Sequence, residues 1–85
     1  MPNRKTCRIV WTRHVLVERL EKYGKSRESV EKVIRTATTE YPERKGCISI
    51  YGCADGSYLK VILCPGRKQN ECKVVTIVPR GLPCD

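Results

Sequence analysis

The sequence predicts an α+β domain in which two helices form a hairpin on one face of an antiparallel sheet. Three observations predict this fold class. Apolar residues recur at helical spacing between residues 16 and 37, and they alternate with polar residues in three later segments. The length of 85 residues fits one domain, residues 1–85, and leaves no room for a second.

The first elements are a short strand and a helix. Residues 7–12 alternate so that Ile9 and Trp11 share one face, which is typical of a half-buried strand. Thr12 then has the side chain to cap a helix, and Gly24 ends that helix. The apolar stripe of the helix consists of Leu16, Leu20 and Tyr23.

A second helix follows after a very short turn, so the two helices form a hairpin. Ser26 is placed to cap it, and Glu28 is favourable in its first turn because the amino end of a helix is electropositive. Its buried stripe consists of Val30, Val33, Ile34 and Ala37. Residues 41–46 are predicted to be a connecting loop.

Three strands are predicted for the remainder, over residues 47–53, 58–64 and 72–78. Because Asp55-Gly56 is a strong hairpin signal, Tyr51 should face Lys60 across the first pair of strands. The face turned to the helices then carries Ile48, Ile50, Leu59, Val61, Leu63, Val75 and Ile77. The opposite face carries Ser49, Tyr51, Tyr58, Lys60, Ile62, Thr76 and Arg80.

Six cysteines in so short a chain indicate disulfides rather than zinc, since no Cys-x-x-Cys pair occurs and His14 is the single histidine. The hairpin register predicts a Cys47–Cys64 bond, with Cys64–Cys72 as its competitor. A bond between Cys7 and Cys84 would tie down the two chain ends. Disulfides inside a cell are rare except in hyperthermophiles, so the cysteines also suggest a thermophilic source.

The formal charge of +8 indicates a polyanionic partner, although basic composition is also common in some whole proteomes. Four cations, Arg4, Lys5, Arg8 and Arg13, precede the first acidic residue. The sequence contains no apolar run long enough to span a membrane, and its start is too short and polar for a secretory signal. We therefore expect no membrane partner and a cytoplasmic location, the alternative being a chain whose signal has already been removed.

The order strand, helix, helix and three strands resembles the RelE/ParE toxin superfamily, closest to its small BrnT-like members. Thr12-Arg13-His14 enters the first helix as in that family, and residues 18–24 close it. The second helix of the family resembles residues 26–33, and the segment after it resembles Tyr41-Pro42. The last strand of the family resembles residues 73–79. Val15 after His14, an extra helical residue and the cysteines depart from the pattern.

This resemblance implies a β-α-α-β-β-β fold and a toxin neutralised by an antitoxin protein. In the RelE branch the implied activity is RNA cleavage, free or on the ribosome, and in the ParE branch it is inhibition of gyrase. A fold does not choose between such activities, so the residues must.

Metal-independent RNA cleavage needs a base, an acid and cations around the phosphate. Arg80 could clamp phosphate, and Lys60 could stabilise charge or act as a base. Tyr51 or Tyr58 could stack a base or donate a proton, and His14 has a reference pKa suited to proton transfer. Each of these residues also has a purely structural interpretation. Lys60 could be an ordinary solvated lysine in a strand, Arg80 could flank a strand end, and His14 could cap or pack against a helix.

Backbone contacts to RNA are predicted for a second group of residues, and one tyrosine is predicted to stack on bases. They are Arg4, Lys5, Arg8, Arg13, Arg67, Lys68 and Tyr58.

No metal or cofactor is predicted. The sequence favours an RNA-binding, RelE-like domain that could act as a ribonuclease. The alternative is a non-catalytic module that contacts ribosomal RNA or a protein, such as a gyrase-type target or an antitoxin.

Overall fold

The computed structural model describes residues 1–84, which form a five-stranded sheet with helices packed on one face. The spatial order of the strands is β1-β5-β4-β3-β2. Their bounds are β1 Arg8–Trp11, β2 Thr39–Pro42, β3 Ile48–Ala54, β4 Ser57–Pro65 and β5 Glu71–Pro83. The predicted α+β class and the helical layer on one face are confirmed.

The first helix begins with a π-helical turn, Val15–Arg19, and continues as α1, Leu20–Tyr23. It ends where predicted, at Gly24, whose φ of 64° is left-handed and suits glycine. The prediction that Leu16 belongs to the buried stripe is wrong, because Leu16 is 39% exposed and Val15 is fully buried. A π-helical turn holds more residues than an α-helical turn and so shifts the phase of the stripe.

The second helix, α2, spans Arg27–Thr36 and is capped by Ser26, whose hydroxyl accepts a hydrogen bond from the Ser29 N–H at 3.1 Å. Its buried side chains are Val30, Val33 and Ile34, as predicted, whereas Ala37 of the predicted stripe follows the helix end and is partly buried. Gly52 of β3 lies directly beneath this helix, since a Cβ at that position would be 3.0 Å from a Val33 methyl group. Glycine therefore allows the close approach of helix and sheet.

Strand β2 is absent from the sequence prediction, which placed a loop over 41–46. Thr39–Pro42 pairs with β3 in antiparallel register, and a short 3₁₀ turn, Arg44–Gly46, follows it. All four residues of β2 are exposed at the sheet edge. An edge strand without a buried face shows no alternation of apolar residues, so the sequence gives no sign of it.

The prediction of a wholly antiparallel sheet is wrong at one edge, where β1 runs parallel to β5. The extra strand explains the difference. If each tight connection reverses the chain, β5 is the seventh element rather than the sixth, and odd-numbered elements share the direction of β1. The remaining neighbours, β2 to β3, β3 to β4 and β4 to β5, are antiparallel.

The β3–β4 hairpin has the register predicted from its turn. Asp55 and Gly56 take positive φ values of 50° and 88°, and Tyr51 lies opposite Lys60. The predicted core residues of this hairpin are buried, with Ile48 partly so. In β5 the prediction for Val75 is wrong: a bulge pairs Ile62 with Thr76 but Leu63 with Val74, and Val74 takes the buried position.

Three disulfides join the six cysteines. The Cys47–Cys64 bond predicted from the hairpin register is confirmed, with 4.1 Å between the Cα atoms. The competing Cys64–Cys72 bond and the proposed Cys7–Cys84 bond are wrong. The two remaining bonds are Cys7–Cys72, which is buried beneath the helices, and Cys53–Cys84.

The sheet topology accounts for the two unexpected bonds. Since Ile9 of β1 pairs with Cys72 of β5, the preceding Cys7 comes within 6.0 Å of Cys72, Cα to Cα. Cys84 follows the far end of β5, where its N–H donates to the Gly56 carbonyl beside the β3–β4 turn. That end of the sheet contains Cys53 and lies opposite the end containing Cys7.

Candidate nucleic-acid interface

The helices leave one side of the sheet uncovered, and we refer to it as the open face. Strand residues that alternate with the buried ones point to this side. Its principal members are Arg8, Val10, Thr39, Tyr41, Tyr51, Tyr58, Lys60, Ile62, Lys73, Thr76, Val78, Arg80 and Leu82. The polar, aromatic and cationic face predicted from the hairpin register therefore lies where the sequence places it.

One end of the open face forms a concave site, here named the aromatic groove, of about 400 Å³. It is lined by Thr39, Tyr41, Tyr51, Tyr58, Arg80 and Leu82. The rings of Tyr41 and Tyr51 meet edge to face, with centroids 5.8 Å apart. The guanidinium carbon of Arg80 lies 5.6 Å from the Tyr51 ring centroid, within the range of a cation–π interaction.

A second irregularity of β5 shapes this groove. The pairing with β4 passes from Leu59–Pro79 to Ser57–Pro83, so β5 contains two more residues than its partner over this stretch. Gly81, with a φ of 72°, lies within it. Arg80 and Leu82, on either side of Gly81, both line the groove together with Tyr58.

Lys60 lies on the same face, between Tyr51 on β3 and Val78 on β5. Three of the four predicted catalytic residues, Tyr51, Lys60 and Arg80, are therefore close together, and so is Tyr58, the predicted stacking residue. Cross-strand neighbours on one face have Cβ atoms about 5 Å apart, which places Lys60 within reach of a ligand over Tyr51.

His14, the fourth predicted catalytic residue, lies elsewhere, at the start of the first helix. Its Nδ1 is 2.6 Å from a Glu18 carboxylate oxygen, and its Nε2 accepts a hydrogen bond of 2.9 Å from Arg19. Arg19 also donates to the Tyr23 hydroxyl. His14 is not among the residues that line the aromatic groove, and both of its ring nitrogens are engaged within the helix.

The predicted RNA-binding cations divide among three regions. Arg4 is 12% exposed, and its guanidinium donates to the carbonyls of Ile34 and Ala37 at the end of α2 and to Glu40. It therefore anchors the amino-terminal segment to the helix. Lys5 is exposed nearby, and Arg13 borders a small cavity shared with His14.

Arg8, Arg67 and Lys68 lie at the other end of the open face from the aromatic groove. Together with Lys73 they border a cavity of about 580 Å³, which we name the basic loop site. Lys73 is absent from the predicted set, because the predicted register buries Val75 and so turns Lys73 towards the helices, and only the bulge in β5 moves it to the open face. Thr39, Tyr41 and Leu82 are absent from that set as well, and the first two could be found only once β2 was known.

The turn at Asp55 is attached to the amino end of α2. The Asp55 carboxylate accepts hydrogen bonds from the Ser26 N–H at 2.9 Å and the Ser29 hydroxyl at 2.7 Å. These bonds, with a smaller contribution from Lys25, hold the pKa of Asp55 below its usual value. Lys25 is itself buried, and its ammonium donates to the Ala54 carbonyl and the Ser57 hydroxyl.

Within residues 1–84, no cluster of three or more His, Cys, Asp or Glu side chains is placed to hold a metal ion. No helix in the same part of the chain has the length and apolar character needed to cross a membrane. Compared with protein-family models, with curated proteins and with solved structures, the chain matches none.

Proposed function

We propose that this domain binds single-stranded RNA on its open face, with bases stacked in the aromatic groove and the backbone held by nearby cations. The observation that carries the proposal is the groove itself, which Tyr41, Tyr51 and Tyr58 line together with Arg80. Exposed tyrosines beside arginine suit unpaired bases, because every base offers a π face to a ring or guanidinium plane.

Charge distribution supports the same face. On the helical layer, residues 13–36, the seven lysines and arginines are partly offset by Glu18, Glu21, Glu28 and Glu31, which leaves a net charge of +3. On the open face and its adjoining loop, one acidic residue among those described, Glu71, accompanies six cations, which leaves a net charge of +5; the cations are Arg8, Lys60, Arg67, Lys68, Lys73 and Arg80. A nucleic-acid backbone approaching the protein is therefore attracted more strongly to the open face than to the helices.

The aromatic groove favours an unpaired strand over a duplex. Bases in an A-form duplex are stacked on one another and present only their edges, whereas a loop or single strand can turn its bases outward. Tyr41 and Tyr58 are 57% and 42% exposed, so their rings are available to such bases.

Binding of a labelled single-stranded RNA, measured by fluorescence anisotropy at several salt concentrations, tests the proposal. We expect wild-type affinity to fall steeply with salt, and Arg80→Glu and Lys60→Glu each to weaken binding about tenfold or more. Arg27→Glu, an equal charge reversal on α2, is the matched control and should have a much smaller effect. Equal losses in all three variants would indicate non-specific attraction and contradict the proposed face.

RNA cleavage is a second candidate function, favoured by the placement of Lys60, Tyr51 and Arg80 together and by the resemblance to RelE-like toxins. Arg80 would hold the scissile phosphate, while Lys60 and Tyr51 would stabilise charge or transfer protons. His14 would take no part. In this reading the ribosome or free mRNA is the target, and an antitoxin covering the open face is the partner.

Incubation of labelled RNA with the purified domain, alone and with ribosomes, distinguishes cleavage from binding. A ribonuclease should yield discrete fragments, and Lys60→Ala combined with Arg80→Ala should slow cleavage by about 10²–10³-fold or more. Intact RNA with normal binding would leave the non-catalytic module. Inhibition of gyrase with RNA left intact would instead favour the ParE-like alternative.

A further inference from the structure

The basic loop site is constructed by a well-defined loop between β4 and β5. The Gly66 N–H donates to the Glu71 carbonyl at 2.9 Å, and the Lys68 N–H donates to the Glu71 carboxylate at 3.2 Å. A Cβ on Gly66 would lie 2.5 Å from the Glu71 Cβ, so glycine is required for this packing. These contacts hold the backbone that carries Arg67 and Lys68 next to strand β5.

Positive charge at this site is largely uncompensated. Glu71, with a side chain 12% exposed, is the only acidic residue among those lining the cavity. One of its carboxylate oxygens accepts the Lys68 N–H, and the other is 4.0 Å from the Arg8 guanidinium. In the described chain, Arg67, Lys68 and Lys73 form no ion pair within 4.0 Å. Four neighbouring cations therefore face one carboxylate, and their mutual repulsion favours a bound anion.

Strand β5 links the basic loop site to the aromatic groove. Lys73 lines the former and Arg80 the latter, and Thr76 and Val78 lie between them on the same face. Seven residues of extended strand correspond to about 20 Å. The two sites are thus separated by the length of a few nucleotides along one continuous surface.

We propose that the basic loop site is a backbone-phosphate subsite for the same RNA strand whose bases stack in the aromatic groove. This inference rests on the proposed function, because it assigns the substrate a minimum length rather than a different chemistry. Arginine and lysine side chains supply the phosphate contacts, which fix the register of the strand without reading its sequence. A dinucleotide occupies the groove alone, whereas a longer strand reaches both sites.

The test compares a dinucleotide with a dodecanucleotide on the wild-type protein and on the double variant Arg67→Gln with Lys68→Gln. The loop keeps its hydrogen bonds in this variant, because they involve backbone N–H groups. For the dodecanucleotide we expect about tenfold weaker binding and a salt slope shallower by about 1.4, from two lost phosphate contacts. Dinucleotide affinity should change by less than about twofold. The matched control, Lys22→Gln with Arg27→Gln on the helical layer, should show neither effect.

Equal weakening of the dinucleotide and the dodecanucleotide would show that the two cations act only through the general field, and the subsite would be refuted. No weakening of either would refute it as well. If Arg80→Glu still weakens binding in those cases, the proposed function survives without the subsite. Failure of wild-type protein to bind either oligonucleotide would overturn both proposals together.

Discussion

The two faces of the sheet are formed by the same strands but differ in what they contribute. On the face covered by the helices, Ile50, Leu59, Leu63 and Ile77 are fully buried, and the Cys7–Cys72 bond lies among them. On the open face, aromatic and cationic side chains such as Tyr58 remain in contact with solvent. Alternation along each strand separates residues that stabilise the fold from residues available for a ligand.

We therefore expect substitutions on the two faces to have different consequences. A substitution on the covered face removes buried contacts and should lower the free energy of unfolding. A substitution on the open face should alter binding while leaving stability nearly unchanged. For a chain of 85 residues, whose core is small, disulfides supplement the covered face.

The largest expected effect comes from the disulfide beneath the helices. Cys7 and Cys72 are 65 residues apart in sequence. By the chain-entropy relation, replacing both by alanine should therefore lower the free energy of unfolding by about 4 kcal/mol. The matched change at Cys47 and Cys64, separated by 17 residues, should remove about 3 kcal/mol. Urea unfolding followed by Trp11 fluorescence measures both free energies of unfolding. A greater loss of stability from the Cys47 and Cys64 pair would contradict the expected order of the two bonds.

A pair of identical substitutions on strand β5 isolates the two faces. Val74 is fully buried and Val78 is 36% exposed. Val74→Ala should cost about 2–3 kcal/mol through lost burial and a residual cavity, and Val78→Ala less than about 1 kcal/mol. Chemical denaturation with the disulfides intact gives both values. Similar costs at the two positions would mean that the open face is covered by something other than solvent.

A tyrosine on the open face should show the converse behaviour. Tyr51→Leu keeps an apolar side chain but removes the ring, and base stacking contributes about 1–3 kcal/mol per base, so RNA affinity should fall about tenfold. The free energy of unfolding should change by less than about 1 kcal/mol. Tyr23→Leu, on the helical layer, is the control and should leave RNA affinity unchanged. An effect of Tyr23→Leu on binding equal to that of Tyr51→Leu would argue against the groove.

The smallest effect concerns pH, at the turn that joins the sheet to α2. Hydrogen bonds from Ser26 and Ser29 lower the pKa of Asp55 in the folded state. Its contribution to stability is thus complete above the unfolded pKa of about 3.9 and is lost as the pH falls through the lower folded value. Asp55→Asn should flatten this acid dependence of the urea midpoint, without altering RNA binding at neutral pH. An unchanged pH profile in the variant would show that Asp55 contributes nothing to it.

Local patterns in the sequence determined a large part of this protein. Gly24 and Ser26 mark the helix ends, and the Asp55-Gly56 turn sets the register that pairs Tyr51 with Lys60 and Cys47 with Cys64. Each of these features depends on residues a few positions apart or on counting outward from one turn. The open-face residues of β3 and β4 follow from the same count.

Only the tertiary structure decided the features that depend on the whole path of the chain. Strand β2 has no buried side chain to mark it, yet its presence makes β1 and β5 parallel and places Cys7 beside Cys72. It also brings Tyr41 to the aromatic groove, while the bulge in β5 decides that Val74 is buried in place of Val75. Strand direction and register accumulate over every intervening turn and bulge. A single element without a sequence signal therefore changes which distant residues meet.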